Sequence, residues 1–130
     1  MSHALTGRAP YHVRSVGPVG SGSAYESNDD WAKAQTIIGL SWSNRVAMRD
    51  FASFPMFRAI KYLPRVNCPV QFFGCEQDKL TPIGPTLQAA KQIKAELHCY
   101  PTGHYGIYVE PAKSHALAAQ VKFLCNELRG

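Results

Sequence analysis

Residues 69–128 set a short apolar run, a helical period, a second short run and a second helical period in strict order, and few folds accommodate that sequence of elements. The first run, Pro69-Val70-Gln71-Phe72-Phe73-Gly74-Cys75, opens on proline, which a strand tolerates at its first position. Apolar groups on both faces mark it as an inner strand of a parallel sheet. Thr81-Pro82 then reads as a helix start, threonine capping and proline at the first helical position. Ile83, Leu87, Ala90 and Ile93 recur on one face of that helix. A second strand runs from Glu96 to Tyr100, with Leu97 and Cys99 on one side and Glu96, His98 and Tyr100 on the other, as an edge strand with one wetter face. From Ala112 to Leu128 a last helix aligns Leu117, Val121, Leu124 and Leu128, a stripe read as plain core packing. The fold class is therefore α/β, built on a βαβα unit. Its two strands lie parallel because the intervening helix returns the chain to the starting edge. The loops at 76–81 and 101–111 must then emerge at the same carboxyl edge of the sheet, where open α/β sheets place functional groups.

The front of the chain is less regular. Residues 1–27 carry Gly17-Pro18, Gly20 and Gly22 among small polar residues, which is loop chemistry, and only Tyr11 to Val16 alternates like a short strand. Asn28 or Asp29 caps a helix through Trp31, Ala34 and Ile38, with Gly39 as its end. Ser43 caps a second short helix through Val46, Ala47 and Met48, and Pro55 and Pro64 punctuate the connector to the sheet. The expected organisation is an irregular segment at 1–27, a helical segment at 28–67 and the βαβα unit at 68–130.

At 130 residues there is room for one domain. The net charge of +5 comes from cations spread between Arg8 and Arg129 without a run, so a basic solvated surface is favoured over nucleic-acid binding. No apolar stretch approaches the ~20 residues needed to cross a bilayer, and Met1 to Arg8 lacks an apolar signal core. The expectation is a soluble cytoplasmic protein without a membrane partner. Cys68, Cys75, Cys99 and Cys125 form no C-x2-C pair and read as buried free thiols; a metal site from Cys99 with His98 or His104 has weak ligand spacing.

The two loops at the shared edge each hold one group suited to catalysis. Asp78 lies in the first and His104 in the second, and neighbouring strands let them meet across 26 positions. A carboxylate bonded to one ring nitrogen fixes the imidazole tautomer and frees the other nitrogen as a general base. Gly103 permits a tight approach of the loop backbone. Glu76 is the second candidate acid. Against this stands the plainer reading of Asp78 as a cap or surface group and of His104 as surface decoration.

As an ordered set, Gly74-x3-Asp78 with Thr81-Pro82, then Gly103-His104 and Ile107-Tyr108, then Gln120-Val121-Lys122-Phe123-Leu124, resembles the C-terminal portion of the α/β-hydrolase fold. The likeness is nearer to its serine-aminopeptidase-like and dienelactone-hydrolase-like branches, which include fungal polyketide transferases. Upstream, Trp42 to Val46 and Cys68-Pro69-Val70 look like part of the cap and its return to the sheet. The resemblance implies that Asp78 is the triad acid and His104 the base, with no metal or organic cofactor. Tyr105 stands where many relatives carry phenylalanine.

The family's nucleophile sits on a G-x-S-x-G elbow between a strand and a helix. Gly20-Ser21-Gly22-Ser23-Ala24 is the nearest string and has the wrong spacing, while Cys75 reads better as packing than as a thiol nucleophile. Loss of the nucleophile costs a serine hydrolase on the order of a million-fold in rate. The sequence thus suggests a truncated or split α/β hydrolase, nearly inert alone, that would act on ester, amide or thioester acyl groups when complete. Its inner strand would pair with a complementary N-terminal chain or a second copy through an exposed edge. The rival expectation is a non-catalytic interaction module, or a remnant with no role of its own.

Overall fold

The computed structural model describes residues 10–53 and 57–129. Those residues include three two-stranded sheets and four α-helices. In the front part, β1 (His12–Val13), β2 (Val16–Gly17) and β3 (Tyr25–Glu26) precede α1 (Asn28–Ile37), followed by β4 (Val46–Ala47) and α2 (Met48–Ser53). A 3-10 segment at Ala59–Arg65 leads to β5 (Gln71–Cys75), α3 (Gly84–Ile93), β6 (Glu96–Tyr100), a 3-10 turn at Gly106–Tyr108 and α4 (Ala112–Glu127). No helix among the described residues is long and apolar enough to cross a membrane.

The β5–β6 pair is parallel, in register from Gln71 opposite Glu96 to Cys75 opposite Tyr100. The hydrogen-bond ladder continues past the strands, Glu76 N donating to Tyr100 O at 2.9 Å and Gln77 N to Thr102 O at 3.0 Å. Phe73 stacks against His98 (5.2 Å between centroids) and Tyr100 (6.2 Å), one aromatic row across the pair. On the side of α3, Gly74 lets Ile83 approach: a Cβ there would meet Ile83 Cδ1 at 2.7 Å.

The expected strand over 11–16 is split. His12–Val13 pairs antiparallel with β4, whereas Val16–Gly17 pairs parallel with β3. Asn44 fixes the break, its Oδ1 accepting the amides of Ser15 (2.9 Å) and Val16 (3.1 Å) while its Nδ2 donates to Val16 O (2.7 Å). That pairing also explains why Val46–Ala47 is strand rather than the helix expected after Ser43, with α2 starting only at Met48. The turn between β2 and β3 holds Gly20 and Gly22 at φ +83° and +70°, and their amides donate to the Glu26 carboxylate at 2.8 and 2.6 Å. Residues 1–9 and Pro55 lie outside the described residues.

Several helix ends differ from expectation. Ser27, not Asn28 or Asp29, caps α1 through its Oγ and the Asp30 amide, and the helix ends at Ile38 in extended backbone, before Gly39. Thr81 does not cap α3, because Asp78 binds both its amide and hydroxyl; the helix begins at Gly84 with Pro85 in its first turn. The buried face of α3 is Ala89 and Ala90, with Leu87 exposed.

The core is small and rich in alanine: Val16, Ala34, Ala47, Ala89, Ala90, Tyr100 and Ala116 are buried. The α4 stripe expected to pack is open instead, Leu117, Val121, Leu124 and Leu128 being 49–79% exposed, since two strands are too narrow to cover that helix. None of the cysteines is buried either. Cys68 and Cys99 are exposed, Cys75 and Cys125 are partly covered, and all four are free.

Candidate functional site

The site begins where β5 and β6 end. Their parallel register carries residues 76–81 and 101–108 off the same edge, and the two amide bonds beyond the strands hold these loops side by side. Asp78 Oδ2 and His104 Nδ1 stand 2.8 Å apart across them.

The Asp78 side chain is only 7% exposed, so a charge there needs partners. It has four. Oδ1 accepts the amides of Leu80 (2.9 Å) and Thr81 (2.8 Å), and Oδ2 accepts the Thr81 hydroxyl (2.6 Å) beside the imidazole. Burial works against ionisation, but the bonds from Thr81 and from His104 prevail and hold the carboxyl below its ordinary range. An ionised carboxylate accepts only, so the neutral imidazole facing it carries its proton on Nδ1. Nε2 is then the nitrogen with a free lone pair, and among the described residues no side chain is hydrogen-bonded to it.

His104 is packed on its faces as well. Tyr105 stands edge-on to the imidazole at 4.9 Å and 86°, and Tyr25 of β3 at 6.0 Å and 66°. Tyr25 in turn donates its hydroxyl to Asp30 Oδ2, while Asp30 Oδ1 accepts the Tyr105 amide at 3.0 Å. The Tyr25 phenol is pushed up to about 12 by burial and by its bond to Asp30. A groove of about 910 Å³ runs past the pair, bordered by His104, Asp78, Phe73, Ile83, Ile107 and Leu117. Its size and mostly apolar wall suit a small organic molecule with an apolar arm.

Other candidates fall elsewhere. Glu76 meets β6 through its backbone amide, and its side chain is exposed. Ser23 bonds to Ser21 Oγ at 2.8 Å in the β2–β3 turn. Burial, with the charges of Asp78 and Asp30, raises the Cys75 thiol, which disfavours its thiolate. Among the described residues no group of three or more His, Cys, Asp or Glu side chains is placed to hold a metal; His98 is instead bonded to Glu96 at 2.6 Å.

The sequence reading missed Asp30 and Tyr25. Asn28-Asp29-Asp30 looks like a helix cap followed by acids in the first turn, and nothing local separates the inward Asp30 from the outward Asp29. The signal is a contact spanning 75 positions.

In an alignment 123 residues long that covers 92% of the chain, it is 26% identical to the quorum-quenching protein AidA of Acinetobacter baumannii strain MDR-ZJ06. It spans 40% of that protein's length. No family model matches the chain, and no solved structure matches it.

Proposed function

We propose that this chain contributes the acid and the histidine base of an α/β-hydrolase-type site acting on acyl substrates. The observation that carries the reading is the 2.8 Å contact between Asp78 Oδ2 and His104 Nδ1 at the carboxyl edge of a parallel strand pair. The ordered motifs that resemble the hydrolase fold, and the distant similarity to a quorum-quenching protein, support it.

In this reading Asp78 keeps the Nδ1–H tautomer, and Nε2 takes the proton of an attacking hydroxyl, then returns it to the leaving group. The imidazolium formed between these steps is stabilised by the adjacent carboxylate. The hydroxyl is a serine on an elbow supplied by polypeptide other than these residues, and the groove beside His104 receives part of the acyl substrate. Esters, amides and thioesters all suit this chemistry, and the signal molecules implied by the relative's name are a class to try among them.

The test is complementation. The chain alone should take no label from a fluorophosphonate probe. Mixed with a second polypeptide bearing a strand, a Gly-x-Ser-x-Gly turn and a helix, it should gain labelling and ester turnover, both lost in His104→Ala and reduced at least about a hundred-fold in Asp78→Asn. Labelling of any serine on the chain alone overturns the claim of a supplied nucleophile. Full turnover in complemented His104→Ala overturns the base.

A second reading has its own observation. Among the described residues β5 and β6 pair only with each other, and the apolar stripe of α4 is open. Both features suit a module that binds a complementary chain or a second copy through a strand edge. Silence of the complementation assay with a measurable complex favours it.

A further inference from the structure

Among the residues whose burial is described, Asp30 is the one charged residue buried as a whole, at 3% exposure, and the acid–base pair makes no use of it. Carboxylates in a helix's first turn ordinarily serve the helix dipole from the surface. Asp29 does so, open to solvent and bonded to Lys33 at 2.6 Å. Asp30 points the other way, and its partners converge on the His104 loop.

Oδ1 accepts the amide of Tyr105, the residue after His104, at 3.0 Å. Oδ2 accepts the hydroxyl of Tyr25, whose ring stands edge-on to the imidazole. On the other side of His104, a Cβ at Gly103 would lie 2.9 Å from Oδ1 and 3.2 Å from Oδ2, so the carboxylate occupies the space a side chain would need. Burial opposes the charge on Asp30, but the bonds from Tyr25, Tyr105 and Ser27, with the nearby imidazole, keep its carboxyl below the usual range. The amide after His104 and one of its ring neighbours thus both bond a single buried anion from α1, which also fills the space beside Gly103.

We propose that Asp30 is a positioning residue for His104, anchoring the 103–105 backbone and the Tyr25 ring so that Nδ1 stays within bonding distance of Asp78. Its catalytic consequence rests on the reading of His104 as the base, but the positioning is measurable without activity. The titratable groups around the imidazole are Asp78 from the loop after β5, Tyr25 from β3, Tyr105 from its own loop and Asp30 from α1, and the Thr81 hydroxyl lies 3.4 Å from Nδ1.

The readout is the ratio of Nδ1–H to Nε2–H tautomer of neutral His104, measured by long-range proton–nitrogen correlation NMR on the full chain, with circular dichroism as the check on folding. Asp30→Ala, which removes both anchors, should lower the ratio at least about tenfold, as expected for loss of charge-assisted bonds that hold the loop. Asp30→Asn should recover most of it, because its amide oxygen still accepts from Tyr105. Tyr25→Phe, which frees one ring, should cost about threefold. A folded Asp30→Ala whose ratio stays within twofold of wild type overturns the role. Should Asp30→Ala not fold, Tyr25→Phe and Gly103→Ala decide, and an unchanged ratio in both overturns it. A wild-type chain lacking the Nδ1–H form sinks the acid–base reading itself, whereas a wild type that has it beside an insensitive Asp30→Ala sinks only the positioning.

Discussion

A methyl group at position 106 has nowhere to go. Its carbon would fall 1.5 Å from Thr102 Oγ1, 2.7 Å from Thr102 Cβ and 3.0 Å from Thr102 Cγ2. Rotation about χ1 of Thr102 relieves the first contact by turning the Cβ hydrogen toward the methyl, but not the second, because Cβ moves only with the backbone. Reaching the 3.4 Å of ordinary contact needs 3.4 − 2.7, about 0.7 Å of main-chain movement. Thr102 resists that movement, its amide donating to Tyr100 O at 2.8 Å and its carbonyl accepting from Gln77 N at 3.0 Å. Overpacking costs about 1–3 kcal/mol, and a clash with a backbone-fixed atom belongs in the upper half of that range, so Gly106→Ala should cost about 2–3 kcal/mol. Urea unfolding followed by tryptophan fluorescence reads the loss as a lower midpoint at constant slope. The double variant Thr102→Gly/Gly106→Ala removes all three contacts. It should therefore be more stable than the sum of the single losses by about 1.5 kcal/mol or more. A Gly106→Ala chain within about 0.5 kcal/mol of wild type, or strictly additive losses, would refute this account of the loop.

Three further outcomes follow from the titrating groups. The carboxyls of Asp30 and Asp78 are held below their unfolded values, so their stabilisation is complete above about pH 4 and is lost as pH falls through the folded values. Asp30→Asn/Asp78→Asn should be less stable than wild type at pH 7 and lose less between pH 7 and pH 3 in urea melts; equally steep curves would contradict this. Tyr25 is raised to about 12, so it favours the folded state below about pH 10, and that contribution disappears as pH rises through 12. The phenolate absorbance of wild type minus Tyr25→Phe should accordingly appear near pH 12, and its appearance near 10 would remove the Tyr25–Asp30 bond from the account. Exposed Cys68 and Cys99 should be alkylated by iodoacetamide before Cys75, whose thiol burial pushes up; mass spectrometry showing Cys75 first would reverse that order.

The parts of the fold visible in the sequence are those set by local pattern. Glu96–Tyr100 is a strand with the expected ends, and α4 starts at the expected Ala112, because alternation and helical period operate within a few residues. The meeting of Asp78 with His104 was legible for a topological reason: a helical crossover makes two strands parallel and delivers their following loops to one edge. Contacts made at a distance were not. Asn44 breaking the front strand, Thr81 turned to Asp78 instead of capping α3, and Asp30 turned inward all depend on partners that no short window contains. The stripe on α4 misled in the opposite sense. Helical spacing identifies a face that favours burial, and whether anything covers that face depends on the width of the neighbouring sheet.

The two amide bonds that run on past the ends of β5 and β6 give the paired loops a mechanical unity. Carboxylate and imidazole sit on two loops tied together by these bonds, so a displacement of the strand pair carries both along. Side chains that line the groove can change without touching those bonds, while Asp30 on α1 holds an amide of the second loop from outside the strand pair.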